Sequence, residues 1–262
     1  MFETLYNAEK GLDRGLQFGD GHFTTLVFKQ GEPQLWAYHK QRLIEANKRL
    51  GIPFSDHALS AIEQAVSSAS KEHINGVAKI IITRGNSRQG YRLPEPCEPN
   101  WYLTTSALPP SNDKPIRVTV AETRLGEQPL LAGLKTLNRL EQVMLHQERL
   151  AVGTDDLIVC SSNGYIIEAI QGNLFWCVDG HWYTPQLTRC GVAGVARQRI
   201  IDSQLLPALK IVEASIEDIS SVSDMFIANS VKGLIPVMQI RDKVINTQIP
   251  AELKTYIDET CA

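Results

Sequence analysis

The chain has 262 residues, 43% hydrophobic and 21% charged, which bounds it to a soluble globular protein of one or two domains. A net charge of −3 gives no basic field for nucleic acid or an anionic membrane, and no apolar run approaches the roughly 20 residues of a membrane-spanning helix. Five scattered cysteines without a CxxC pair, and no signal peptide, predict reduced thiols in the cytoplasm, while six histidines without HExxH or another short-range ligand pattern predict no metal.

In chain order, Thr24–Phe28 and Gln34–Trp36 read as a hairpin around Gln30-Gly31. Leu43, Ala46 and Leu50 recur at helical spacing, as do Leu59, Ile62, Ala65 and Val66. Val77–Ile82 is a β-branched run and a predicted buried strand, followed by a Gly/Pro-punctuated loop from Gly85 to Pro99 and a strand at Trp101–Thr105. The cluster from Pro109 to Pro115 cannot continue a helix or a central strand. It predicts an N-terminal α/β domain over 1–109, a linker over 110–115 and a second domain over 116–262.

The second domain opens with a strand at Ile116–Val120. Asn138 with Glu141 reads as a capping box for a helix whose inner face is Leu140, Val143, Met144 and Leu150. A meander follows: Leu157–Cys160, Tyr165–Ala169, Leu174–Val178 and His181–Thr184, punctuated by the Asn163-Gly164 and Asp179-Gly180 turns. Then come a helix from about Ala193 to Leu205, strands at Ile211–Glu213, Met225–Ala228 and Ile235–Ile240, and a short helix after Pro250. Ser215 with Asp218 marks a further helix start. The class is mixed α+β, with a second half rich in hairpins rather than βαβ units.

No GxGxxG, GxxxxGK[ST] or GxSxG motif is present, so dinucleotide, P-loop and serine-hydrolase readings lack their fingerprints. What remains is a trio in chain order: Lys135 before a helix, Glu168 on a strand, and Gly191-Val192-Ala193-Gly194 opening another helix. These are the parts that hold pyridoxal 5'-phosphate: an amine for a Schiff base, a carboxylate for the ring nitrogen, and backbone N–H groups for the phosphate. Taken singly, each has a plain alternative: a surface lysine, a solvent-facing strand residue, a helix cap.

Four stretches raise the trio above those alternatives: Phe18 to Thr25, His39 to Leu43, Lys135 to Val143, and Glu168 to Phe175. With Gly191 to Arg197 following, their order resembles the fold-type IV pyridoxal-phosphate enzymes, the D-amino acid aminotransferase-like group, over about Gln17 to Met238. Within that group, Phe18-Gly19-Asp20-Gly21 before Phe23-Thr24-Thr25, and Lys135-Thr136-Leu137-Asn138-Arg139, look like the aminodeoxychorismate lyases. That resemblance implies a two-domain fold with the cofactor at the domain interface, a homodimer whose partner closes the site with a loop, and no nucleic-acid or membrane partner. It also implies a small-molecule reaction, by class a carbon–carbon lyase: 4-amino-4-deoxychorismate yields 4-aminobenzoate and pyruvate. The alternative on the same fold is a D-amino acid or branched-chain aminotransferase. A binding module that kept the fold and lost the chemistry would not be expected to retain Lys135, Glu168 and Arg42.

The resemblance assigns Lys135 as the catalytic amine and Glu168 as the partner of the ring nitrogen. It assigns the phosphate to Arg42, the N–H groups of Val195 and Ala196, and the Ser230 hydroxyl. Ala196 stands where aminotransferases of the group carry a hydroxyl residue. The tyrosine that those enzymes place after the lysine has no counterpart here. Arg139 with Asn138, or Arg84 and Arg88 of the loop after the third predicted strand, would hold a substrate carboxylate, and Thr25 would line the pocket. His39 would support Arg42 or be structural.

Overall fold

His22, Thr24, Leu26 and Phe28 alternate along one face of the strand Gly21–Lys29 (β1), and all four are buried. In the computed structural model of the protein, which describes residues 11–110 and 114–260, β1 pairs antiparallel with Gly76–Thr83 (β2). That strand pairs antiparallel with Asn100–Ala107 (β3). Helices Trp36–Leu50 (α2) and Asp56–Glu72 (α3) follow a short helix, Arg14–Phe18 (α1). Leu43, Ala46, Ile62 and Val66 from α2 and α3 form one core with Leu26, Phe28, Ile80 and Ile82 from the sheet. The hairpin predicted at Gln30-Gly31 turns there through two positive-φ residues, but the returning strand is only Glu32–Pro33. Pro33 cannot donate to the ladder, Leu35 turns left-handed, and Trp36 starts α2 rather than a strand.

The second unit is built on one mixed sheet. Its strands are Ile116–Val120 (β4), Asp156–Cys160 (β5), Ile166–Ala169 (β6), Asn173–Val178 (β7), His181–Pro185 (β8), Lys210–Val212 (β9), Asp224–Asn229 (β10) and Gly233–Ile240 (β11). They lie in the order β9-β8-β7-β10-β11-β4-β5-β6. The expected hairpins of the meander are present, but β4 and β5 pair parallel across the helix Leu140–Val152 (α4), and β8 and β9 pair parallel across the helix Val195–Ser203, so two βαβ crossovers stand among them. Along β7 successive residues are buried on both faces: Leu174 and Trp176 join one cluster, Phe175 and Cys177 another that includes Ile200 of Val195–Ser203 (α5) and Leu253 of Ala251–Thr260 (α6).

The expected inner face of α4 is corrected. Leu140, Val143, Met144 and Leu150 are between 49% and 72% exposed, and Leu145 is the residue that packs inward against Leu125, Leu157 and Val159. Asn138 does not cap that helix: Arg139 stands at the N-cap without a side-chain bond, while Asn138 Nδ2 donates to Gly19 O.

Residues 111–113 of the expected linker lie outside the described residues. One unit runs to Leu108 and also takes in Lys135–Asn138; the other comprises Pro109–Leu134 and the chain from Arg139 onward. The linear expectation that Lys135 belongs to the second domain is therefore corrected. The physical reason is backbone pairing with β1: Phe23 N–H donates to Lys135 O at 2.9 Å and Leu137 N–H to Gly21 O at 3.0 Å.

Candidate active site

In the first unit the Lys135 segment lies along the start of β1, with Thr136 bridged antiparallel to His22. This fixes the backbone on both sides of the lysine and brings its Nζ 4.9 Å from the centroid of the Phe23 ring. Lys79 Nζ approaches the same ring at 4.5 Å. Thr25, opposite Lys79 in the ladder, shares that face of the sheet with Phe23 by the strand's two-residue period. The amine thus has an aromatic neighbour and is half-buried.

Arg42, on α2, is also half-buried, and burial lowers its guanidinium to about 10. Two buried histidines accompany it. His39 Nδ1 meets Thr24 Oγ1 at 2.6 Å, and His22 Nε2 meets Asn47 Oδ1 at 2.8 Å. Burial lowers both, against the Asn47 hydrogen bond in the case of His22, and the Arg42 charge adds to the lowering, taking His39 to about 3. Arg42 therefore sits beside two neutral rings. His22 Nδ1 and His39 Nε2 are buried without a hydrogen-bond partner.

The second unit holds the other half of the predicted set. Glu168, on β6, is 6% exposed, and its Oε2 accepts the N–H of Val192 at 2.8 Å. Arg139 is within electrostatic reach of Glu168 and Glu141; burial lowers its guanidinium while those two carboxylates pull the other way. Cys190 is pushed up to about 12, chiefly by burial and then by Glu168, so it is an inert thiol.

The loop before α5 is braced by Asn173, a residue the linear reading did not single out. Its Nδ2 donates to Val192 O at 2.8 Å and its Oδ1 accepts Gly194 N–H at 3.0 Å. A Cβ at Gly194 would collide with that Oδ1, and one at Gly191, where φ is +82°, would meet Ile167 Cγ2 at 2.5 Å. The sequence signal was the Gly172-Asn173 pair within the motif around Glu168. Asn173 faces Ala228 across the β7–β10 ladder, two residues before Ser230 in the turn to β11. The loop delivers the chain to the N1 and N2 positions of α5, Val195 and Ala196, where helix N–H groups lack intrahelical acceptors.

One of the arginines considered for substrate behaves differently from that expectation. Arg84 is buried and its guanidinium is committed: Nε donates to Asp20, Nη1 to Gly51 O and Nη2 to Leu50 O. Asp20 also accepts Arg14 Nε, and Arg14 Nη1 donates to the carbonyls of Gly90 and Arg92. Arg84 is thus a structural tie, because its nearest acceptors come from the end of α2 and from Asp20. Arg88 is exposed on the loop that this network anchors.

A two-unit mixed α+β fold with a β1-docked lysine, a buried strand glutamate and a glycine-cradled helix start defines a class of protein. The chain belongs to the amino-transferase class IV family, which it matches over residues 21–240. It is 32% identical to an aminodeoxychorismate lyase from Vibrio harveyi, over 87% of this chain and 86% of that one. The crystal structure of 4-amino-4-deoxychorismate lyase from Pseudomonas aeruginosa superimposes with a TM-score of 0.88 at 33% identity, covering 98% of this chain and 96% of that chain. A putative branched-chain-amino-acid aminotransferase from Methanocaldococcus jannaschii is 24% identical over 94% of this chain and 88% of that one.

Proposed function

We propose that this protein is a pyridoxal-phosphate-dependent lyase that converts 4-amino-4-deoxychorismate into 4-aminobenzoate and pyruvate, a step toward folate. The observation that carries this reading is Arg139, within electrostatic reach of Glu168 and in the stretch after Lys135 where the tyrosine of the aminotransferases has no counterpart. The lyases of Vibrio harveyi and Pseudomonas aeruginosa support it at 32% and 33% identity, above the 24% of the aminotransferase relative.

The donor set suits the cofactor. Gly191 and Gly194 leave no room for side chains at the loop, which favours bare amides facing a phosphate, and the buried Glu168 carboxylate suits a ring N–H. Lys135, Glu168, Arg42, the amides of Val195 and Ala196, and Ser230 would hold it. When bound, it supplies an aldehyde for amine capture and an electron sink for the bonding pair released at carbon.

Lys135 has the role of proton carrier. Its Nζ takes the proton from C4 of the substrate, the ether C–O bond to the enolpyruvyl group breaks, and the same amine returns the proton to the methylene carbon that becomes the methyl of pyruvate. The Phe23 ring limits water around that amine. Glu168 would partner the ring nitrogen of the cofactor, with the Val192 N–H holding its Oε2 in place. Arg139 is the cation assigned to a substrate carboxylate, with Asn138 and Thr25 as flanking polar groups.

The protein acts as a homodimer in the cytoplasm. The exposed apolar stripe on α4 supports self-association, and the four free cysteines among the described residues fit a reducing compartment. No helix among the described residues is long and apolar enough to cross a membrane. The deciding assay mixes purified protein, pyridoxal phosphate and aminodeoxychorismate and follows both products. Equal release of 4-aminobenzoate and pyruvate is expected. Amino transfer from D-alanine or leucine to 2-oxoglutarate without that release would move the protein to the aminotransferase branch.

A further inference from the structure

Three arginines are buried among the described residues, and two of them, Arg14 and Arg84, share the carboxylate of Asp20. The third, Arg197, is 6% exposed and has no acidic partner among the described residues: Nε donates to Thr184 Oγ1 at 3.2 Å and Nη2 to Pro185 O at 2.9 Å, both neutral acceptors. A guanidinium removed from water without a counter-charge is unfavourable. Arg197 is also the third residue of α5, at the end where the helix dipole is already positive. Burial alone lowers it to about 10, which leaves it charged at neutral pH.

Both unfavourable terms would be relieved by a dianion at the start of the same helix. We propose that Arg197 is a charge-compensating and positioning residue for the cofactor's phosphate, in the same first turn of the helix as the amides of Val195 and Ala196. Its fork ties α5 to the end of β8, and Thr184 Oγ1 in turn donates to Leu174 O on β7, so the helix start is clamped to the sheet. The positive charge contributes through the field rather than through contact. The inference rests on the assignment of pyridoxal phosphate to this site.

The test compares equilibrium titrations of the apoprotein with pyridoxal phosphate and with pyridoxal, which lacks the phosphate. Arg197→Gln removes the charge and keeps an amide donor; Arg197→Lys keeps the charge. The expected result is about tenfold or greater weakening for pyridoxal phosphate in Arg197→Gln, with pyridoxal within about twofold of wild type and the apoprotein melting no lower. Arg197→Lys is expected to regain most of the lost affinity. Equal weakening for both ligands, or unchanged binding of pyridoxal phosphate, would overturn the role of Arg197 while leaving the cofactor assignment intact. If Arg197→Gln does not fold, Arg197→Lys decides: phosphate-selective affinity near wild type supports the charge, and its loss refutes it. Wild-type protein that binds neither ligand would overturn the cofactor assignment itself, and this inference with it.

Discussion

Replacing Asp20 by Asn removes one negative charge shared by two buried guanidinium groups. Asp20 Oδ2 lies 2.8 Å from Arg14 Nε and 2.9 Å from Arg84 Nε. Breaking a buried ion pair by removing one partner typically costs about 3–5 kcal/mol, because the remaining charge is uncompensated. Here two cations are left, and Asn keeps an acceptor for only one N–H, so a loss of about 3–5 kcal/mol is the expectation. At about 2–4 °C per kcal/mol for a chain near this size, the melting temperature should fall by roughly 6–20 °C. The assay is guanidinium denaturation of wild type and Asp20→Asn across pH. Burial acts to raise the Asp20 carboxyl, but its bonds to Arg84 and Arg14 prevail and hold it below the usual carboxylate range. Its stabilising contribution is thus full above the unfolded value of about 3.9 and is lost as pH falls through the depressed folded value. The difference between wild type and variant should therefore shrink in strong acid. A loss below about 1 kcal/mol at pH 7, or a difference that ignores pH, would refute the network as the anchor of the loop bearing Arg88.

Lys135→Ala should lower product release by roughly 10²–10⁴-fold or more, measured by steady-state formation of 4-aminobenzoate; normal turnover would reject the proton-carrier role. Gly194→Ala keeps an ordinary φ of −64° but drives a Cβ into Asn173 Oδ1, so cofactor affinity should fall about tenfold in an absorbance titration. Burial raises the Asp156 carboxyl to about 6, with its Oδ2 unpartnered. The folded state then holds that proton to higher pH than the unfolded one, and stability falls as pH rises from about 4 to about 6. Asp156→Asn should flatten this slope in thermal melts and gain on wild type above pH 6 by up to roughly 3 kcal/mol. Arg139→Met should raise the KM for aminodeoxychorismate about tenfold or more, and an unchanged KM would make Arg139 structural.

Local chemistry made several elements legible in the linear chain. Ile116–Val120 is a strand because its own residues alternate, and the hairpins around Gly164 and Gly180 follow from glycines at φ +86° and +78°. The motif order around Lys135, Glu168 and Gly191 to Arg197 likewise needs only sequence, since it records which groups are supplied and in what order.

What those groups do depends on neighbours far away in sequence. Periodicity marked an apolar stripe on α4, but only packing decided that Leu145 faces the core and Leu140, Val143, Met144 and Leu150 face outward. Arg84 and Arg139 are equal cations on paper. Arg84 becomes a structural tie because Asp20, 64 residues away, meets its Nε, whereas Arg139 comes under the influence of Glu168. Asn173 gained its role from Gly194, 21 residues on, and Lys135 joined the first unit through backbone bonds to β1. Residue types and their order set the available chemistry; long-range contacts determined which charges were paired, which were buried, and which remained for a ligand.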